Sequence, residues 1–138
     1  MSTEDNIALV RRYFDEVVNT GNLDAARTLF ADSHMAHYTN SAHLKGHEGW
    51  KQYVALMYTG VPDTHVTIED EIAAQDKVVV RYTVRGTHTG TFGDRAATGN
   101  AVKFTGIAIF QVANGKIVEQ WQEVDAIGMT RQLGGSIS

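Results

Sequence analysis

The sequence predicts a single α+β domain in which three N-terminal helices pack on a curved, mainly antiparallel sheet. Apolar residues recur at helical spacing in the first half of the chain and alternate with polar residues in the second half. The dipeptide Asn114-Gly115, between two alternating segments, is a strong signal for a tight β-hairpin. Because no linker, repeat or low-complexity tract interrupts the sequence, we expect residues 1–138 to form one domain.

The first half contains three segments with helical patterns. The first helix is predicted to begin near Thr3 or Asp5, which are suitable caps, and to stop at the glycine of the segment 19–22 (NTGN). A short second helix is predicted over 23–30 (LDAARTLF), and a third over 47–58 (HEGWKQYVALMY), closed by Pro62.

The second half contains four strand-like segments. Three are predicted over 64–73, 77–88 and 101–112, and the fourth follows the hairpin turn. One face of the fourth strand is predicted to present Gln120 and Gln122, whereas the other presents Ile117, Glu119 and Trp121.

The third strand favours a binding pocket, because its core-facing side has Gly106 and Ala108 between two phenylalanines. Small residues on such a face leave volume that something else must fill. If the glutamine face also meets the helices, two amides look into an apolar cavity that suits a hydrophobic small molecule. The predicted wall and binding residues are Tyr13, Phe14, Trp50, Tyr53, Met57, Tyr82, His88, Phe104, Ala108, Phe110 and Gln120.

The outer face of the sheet is also apolar, since Ile107 and Ile109 share it with Trp121. A sheet with two apolar faces indicates a second subunit, so we expect a homodimer. The opposite strand phase would instead bury Trp121 and expose the glutamines.

Composition limits the other partners. The net charge of −4 and the lack of a dense basic cluster give no reason to expect nucleic acid. Without a long apolar run or an apolar leader we expect no membrane contact and a cytoplasmic protein. The chain has no cysteine. Four of the six histidines lie between His34 and His47, but their spacing and the lack of a completing carboxylate argue against a metal site, and we expect no cofactor.

Four segments resemble the SnoaL-like polyketide cyclases: 8–38 (ALVRRYFDEVVNTGNLDAARTLFADSHMAHY), 46–57 (GHEGWKQYVALM), 86–92 (GTHTGTF) and 114–134 (NGKIVEQWQEVDAIGMTRQLG). The resemblance implies a cone-shaped α+β barrel of the kind shared with ketosteroid isomerase and the nuclear-transport-factor-two-like proteins, which are usually dimeric. Family members include aldol cyclases of polyketide esters, with relatives that act as isomerases, dehydratases, epoxide hydrolases or hydroxylases, and others have no known activity.

The sequence departs from that family where catalysis is expected. The family's acid/base aspartate aligns with Gln122, its frequent histidine with Gln120, and its asparagine or aspartate after the second helix with Ala36. A histidine common in that region is retained as His37. A neutral amide cannot take a proton from carbon, although Gln122 can donate a hydrogen bond to a carbonyl oxygen.

Three residues are therefore candidates for catalysis: His37 as a replacement base, Gln122 as a donor, and Asp125 at the end of the strand. Three functions stay open. The protein is an enzyme of the cyclase or isomerase kind that uses His37 and Gln122, or a cyclase that acts mainly by shaping its substrate, or a non-catalytic binding or dimerisation module.

Overall fold

The computed structural model describes residues 2–38, 44 and 46–135. The element order is helix, strand, helix, four strands and a last helix. Their bounds are α1 Thr3–Tyr13, β1 Phe30–Tyr38, α2 Gly46–Gly60, β2 His65–Ala74, β3 Lys77–Thr87, β4 Ala101–Ala113, β5 Lys116–Val124 and α3 Ala126–Gln132.

The N-terminal helix begins with a capping box. Ser2 accepts from the backbone N–H of Asp5 at 3.0 Å, and the Asp5 carboxylate accepts from the backbone N–H of Ser2 at 3.2 Å. After α1 the chain continues as a π-helical turn over Phe14–Val18, which turns Phe14 and Val17 into the core. The positive φ of Gly21, 71°, ends this segment, as the glycine stop predicts.

The five strands form one sheet in the order β1-β5-β4-β3-β2. All neighbours pair antiparallel except β1 and β5, which are parallel. The predicted hairpin between β4 and β5 is present, and both turn residues, Asn114 and Gly115, have positive φ (52° and 74°). The α+β class and the curved, mainly antiparallel sheet are confirmed, but the sheet is not closed into a barrel, since β1 and β2 remain its edges.

Three local predictions are wrong. The segment 23–30 forms only a 3₁₀ helix over Leu23–Thr28, and Phe30 begins strand β1, which was not predicted. Irregular register also shifts two faces. Ile117 is fully buried instead of lying on the outer face, because the β4–β5 register shifts between Gln111 and Val112. In β2 the alternation of Val66, Ile68 and Ile72 predicts that these residues share one face, but Ile72 is 66% exposed, beyond a similar register shift between Ile68 and Asp70.

The core lies between the helices and the inner face of the sheet. Aromatic rings fill its centre, where Tyr13 packs edge-on against Phe14 and Phe110 with centroids 5.2 and 5.6 Å apart. No helix in the described part of the chain is long and apolar enough to cross a membrane.

Candidate functional site

An apolar cavity of about 60 Å³ lies between the helices and the inner face of the sheet. This volume holds only a few water molecules, far below the roughly 300–1,000 Å³ of common ligand pockets. Its wall comes from α1, the π turn, α2 and strands β2 to β5. The lining residues are Tyr13, Phe14, Val18, Tyr53, Val54, Met57, Tyr58, Thr64, Val66, Tyr82, Val84, Phe104, Gln122 and Val124.

Gln122 contributes the one amide side chain of the cavity wall among the described residues, and its N–H group is a hydrogen-bond donor. The Tyr82 hydroxyl donates to Gln122 Oε1 at 2.6 Å, which fixes the orientation of the amide. The Tyr82 ring can cross β4 because Gly106 faces it. A Cβ at Gly106 would lie 2.5 Å from Tyr82 Oη and 2.6 Å from Cζ. The volume left by Gly106 is therefore filled by a side chain that holds Gln122.

The tyrosines near Gln122 remain neutral at physiological pH. Burial raises the pKa of Tyr13 to about 12, although the Trp50 indole N–H and the Gln120 amide act in the opposite direction. Burial likewise raises the pKa of Tyr82 well above its usual 10, and the nearby Tyr53 and Tyr13 add to this. Their hydroxyls are thus hydrogen-bond donors rather than bases.

A second, outer cleft of about 240 Å³ adjoins the cavity. Tyr53 and Met57 of α2 line both spaces and so separate them. The remaining walls of the cleft come from the end of α2, the 92–95 turn and α3. The turn approaches α2 closely, since Gly90 N–H donates to Gly60 O at 3.0 Å and a Cβ at Gly60 would lie 2.7 Å from the Phe92 ring.

Gln120 is fully buried but lies outside the cavity wall. Its Oε1 accepts from His34 Nε2 at 2.8 Å, and His34 Nδ1 lies 3.0 Å from His47 Nδ1. This bonding makes Nε2 the protonated ring nitrogen of His34, so His47 donates to its Nδ1. Burial lowers the pKa of His34 to about 4, with a further contribution from His47, whereas the bond to Gln120 opposes the shift.

His37 does not lie at the cavity, which corrects its predicted position. Because β1 pairs with β5, Ala36 and Tyr38 point inward and His37 points to the outer face beside Trp121. There its Nε2 lies 2.7 Å from a Glu119 carboxylate oxygen, with 43% of its side chain exposed, and its ring stacks on Trp121 at 5.6 Å.

Asp125 and His88 also lie away from the cavity wall. Asp125 caps α3, where its carboxylate accepts from Gly128 N–H at 2.9 Å. His88 is completely buried, and its Nδ1 lies 3.0 Å from Thr98 Oγ1. Neither residue is part of the cavity wall.

Three other predicted wall residues belong to the core instead. Ala108 pairs with Gln122 and Val80 in the sheet, and Phe110 packs against the helices; both are fully buried. Trp50 is also fully buried, and its indole N–H donates to the Tyr13 hydroxyl at 2.7 Å. The predicted residues that do line the cavity are Tyr13, Phe14, Tyr53, Met57, Tyr82, Phe104 and Gln122.

The described residues contain no group of three or more histidine, cysteine or carboxylate side chains suited to a metal ion. His34 and His37 face opposite sides of β1, as their strand spacing implies. His43 lies outside the described residues.

Sequence reasoning missed His34 and the β2 side of the cavity. The wall residues Val66 and Val84 could have been found, because they share the inward phase of Tyr82 along their strands. His34 gave no such signal, since β1 lacks an apolar alternation and its partner Gln120 is 86 positions away.

The comparisons with known proteins agree with this geometry. The model of the SnoaL-like polyketide cyclases matches residues 8–133, and no curated protein sequence matches the chain. A proposed SnoaL-like polyketide cyclase from Jannaschia sp. CCS1 has a TM-score of 0.85 at 22% identity, with 98% of this chain and 95% of that one covered. AclR of Streptomyces galilaeus, a proposed hydroxylase, has a TM-score of 0.86 at 20% identity, with 99% and 89% covered.

IdmH of Streptomyces antibioticus, a proposed polyketide cyclase, is 27% identical, with a TM-score of 0.81 and coverage of 94% of this chain and 98% of its own. The match to the family model covers nearly the whole sequence. This chain therefore belongs to the SnoaL-like polyketide cyclase family.

Proposed function

We propose that this protein binds a hydrophobic carbonyl compound of the polyketide type and promotes its cyclisation or isomerisation without a cofactor. The observation behind this proposal is an apolar cavity in which one amide, Gln122, is oriented by Tyr82. The likeness to IdmH, a proposed polyketide cyclase, supports the same substrate class. We place this activity in the cytoplasm, as expected from the sequence.

The proposed mechanism uses shape and a hydrogen-bond donor. Among the described residues, the cavity wall includes no aspartate, glutamate or histidine, so we propose a mechanism that does not use His37 as a base. The helices and sheet would fold the substrate so that ring closure becomes nearly unimolecular. For ring closure, the enol form of the substrate would attack the carbonyl carbon. The new C–C bond forms, the enol becomes a ketone, and its O–H proton moves to the carbonyl oxygen. The Gln122 N–H would donate to that oxygen as negative charge develops there.

The substrate would enter through the outer cleft. Tyr53 and Met57 separate that cleft from the inner cavity, and both are side chains that can change rotamer. Their displacement would join the two spaces to a volume suitable for a small cyclic or polyene ketone.

Turnover of a model polyketide β-keto ester, followed by mass spectrometry, tests this proposal. Gln122→Ala should lower kcat by about 10²–10³ if the amide stabilises an oxyanion. The pH–rate profile should be flat between about pH 6 and pH 9, because the mechanism uses no group that titrates there. A steep profile in this range would contradict the mechanism based on shape and a donor.

A second candidate is a non-catalytic binding module, supported by the same lack of an acid or base in the described cavity wall. Gln122→Asp places a carboxylate at the position that aligns with the acid of the cyclases. If this variant gains ester-cyclase activity, the pocket geometry is inherited and only the base was lost. A binding module should bind the ketone without converting it, and its Gln122→Ala variant should change affinity alone. A hydroxylase, dehydratase or epoxide hydrolase activity would appear as a different product in the same assay.

We also propose a homodimer formed through the outer face of the sheet. Support comes from Met35, Ile107 and Ile109, which are 44%, 48% and 37% exposed on that face. Trp121 lies among them, covered in part by His37 and by the Lys77 ammonium 5.8 Å from its ring centroid. A second copy of the chain would cover this apolar surface.

A further inference from the structure

The inner face of the β1–β5 pair places a tyrosine directly beside Gln122. Tyr38 is the register partner of Gln122 in this parallel pair, and both side chains point toward the helices. Tyr38 is only 3% exposed, and its ring stacks on Tyr53 with centroids 4.1 Å apart and planes 9° apart. Tyr38 thus lies behind a residue that lines both the cavity and the outer cleft.

The Tyr38 hydroxyl is buried, and no hydrogen bond of ordinary geometry joins it to another described residue, although the Gln122 amide lies near enough to affect its pKa. A buried polar group without a partner destabilises a fold, so native proteins seldom keep one without a reason. Gln120 Nε2, one inward position earlier along β5, is a second buried donor that makes no hydrogen bond of ordinary geometry to the described residues, although it lies near the Tyr13 hydroxyl. Both donors indicate that a ligand atom able to accept hydrogen bonds binds at the inner face of the β1–β5 pair.

The protonation state of Tyr38 determines which kind of ligand atom it can bind. Burial raises the pKa of Tyr38 well above 10, and the nearby Tyr13, Tyr53 and Tyr82 strengthen the shift, while the Gln122 amide opposes it. Tyr38 is therefore a neutral O–H donor at physiological pH. A charged ligand group is disfavoured at this buried position, because burial penalises charge. A neutral oxygen that accepts a hydrogen bond suits the buried phenols instead.

We propose that Tyr38 and Gln122 form a polar subsite behind Tyr53 that binds the oxygen of a neutral ketone, ester or quinone ligand. This inference rests on the proposed function and adds a second donor to it. The subsite opens when the Tyr53 ring leaves its stacked position, because that ring separates Tyr38 from the cavity and the outer cleft. The ligand's apolar body then occupies the cavity while its oxygen accepts from Tyr38.

The test compares acetophenone with ethylbenzene, which differ by one carbonyl oxygen. The dissociation constants of both probes for the purified full chain are measured by isothermal titration calorimetry. For the Tyr38→Phe variant, the ratio of the ethylbenzene to the acetophenone constant should fall about tenfold, as expected for one lost hydrogen bond. The ethylbenzene constant itself should stay the same.

Thermal unfolding without ligand provides an independent measurement. Tyr38→Phe removes a hydroxyl that makes no hydrogen bond of ordinary geometry to the described residues and should leave Tm unchanged or raise it. The matched control is Tyr58→Phe, which removes a hydroxyl bonded to the Val18 carbonyl and should lower Tm.

The outcomes separate this inference from the proposed function. If wild type binds ethylbenzene and Tyr38→Phe leaves the ratio unchanged, the Tyr38 subsite is refuted and the apolar cavity stands. A lower Tm for Tyr38→Phe would likewise overturn the inference, because the hydroxyl would then have a structural partner. If neither probe binds to the wild type, the proposed function falls and the subsite falls with it.

Discussion

Acid should destabilise this protein through His34, because burial in the fold disfavours the second proton that would make its ring a cation. Burial lowers its pKa from the ordinary 6.5 to about 4. Between these two values the unfolded chain binds a proton that the native state does not bind. Stability is therefore complete above about pH 6.5 and falls as the pH drops toward 4. The pKa falls by about 2.5 units, so at about 1.4 kcal/mol for each unit the loss reaches at most about 3.5 kcal/mol.

The perturbation that tests this reasoning is His34→Gln. A glutamine amide can donate to Gln120 Oε1 from nearly the same place as His34 Nε2, but it does not titrate. The variant should be less stable than wild type at pH 7.5, because the contacts with His47 and the stacking on Phe30 at 3.7 Å are lost. This deficit should shrink by about 2–3 kcal/mol on moving to pH 4.5.

Urea unfolding of both proteins at roughly pH 7.5, 6.5, 5.5 and 4.5, from above the ordinary pKa to just above the lowered one, supplies the measurement. Carboxylates with lowered pKa values, such as Asp5 and Asp63, are present in both proteins, so their contribution cancels in the difference. If the two stability curves run parallel across this range, His34 is not held neutral by burial, and the described donor order from His47 to Gln120 is wrong.

Three further predictions concern the sheet. Gly106→Ala should lower the unfolding free energy, measured in urea, by roughly 1–3 kcal/mol, because its Cβ would lie 2.5 Å from Tyr82 Oη. In a Tyr82→Leu background the same substitution should cost much less, and an equal loss there would refute this explanation. Ala108→Phe should cost a similar amount without blocking ligand binding, since Ala108 lies in the core outside the cavity; blocked ethylbenzene binding in a folded variant would contradict this. Ile107→Asp should convert a homodimer to the 15.1 kDa monomer in light scattering, and a wild-type monomer at micromolar concentration would end the dimer proposal.

Local patterns were sufficient for most of the secondary structure. Helix α1, helix α2 and strands β2 to β5 follow from periodicity and from turn residues such as Asn114 and Gly115, whose backbone requirements are local. Strand β1 could not be predicted in this way. Its inward residues include His34 and Ala36, its register shifts between Phe30 and Met35, and it becomes a strand by pairing with a segment more than 80 positions away.

The same distinction holds for the candidate site. The sequence by itself determined that Gln120 and Gln122 share one face of β5, because the strand keeps a strict alternation near these residues, but it left open whether that face or the Trp121 face turns inward. Only the tertiary structure decided that His37 points outward and that His34 points inward, since strand pairing determines the face of every side chain in β1. The bond between Tyr82 and Gln122 also required the fold, because it crosses β4 at the one position where Gly106 leaves space for a ring.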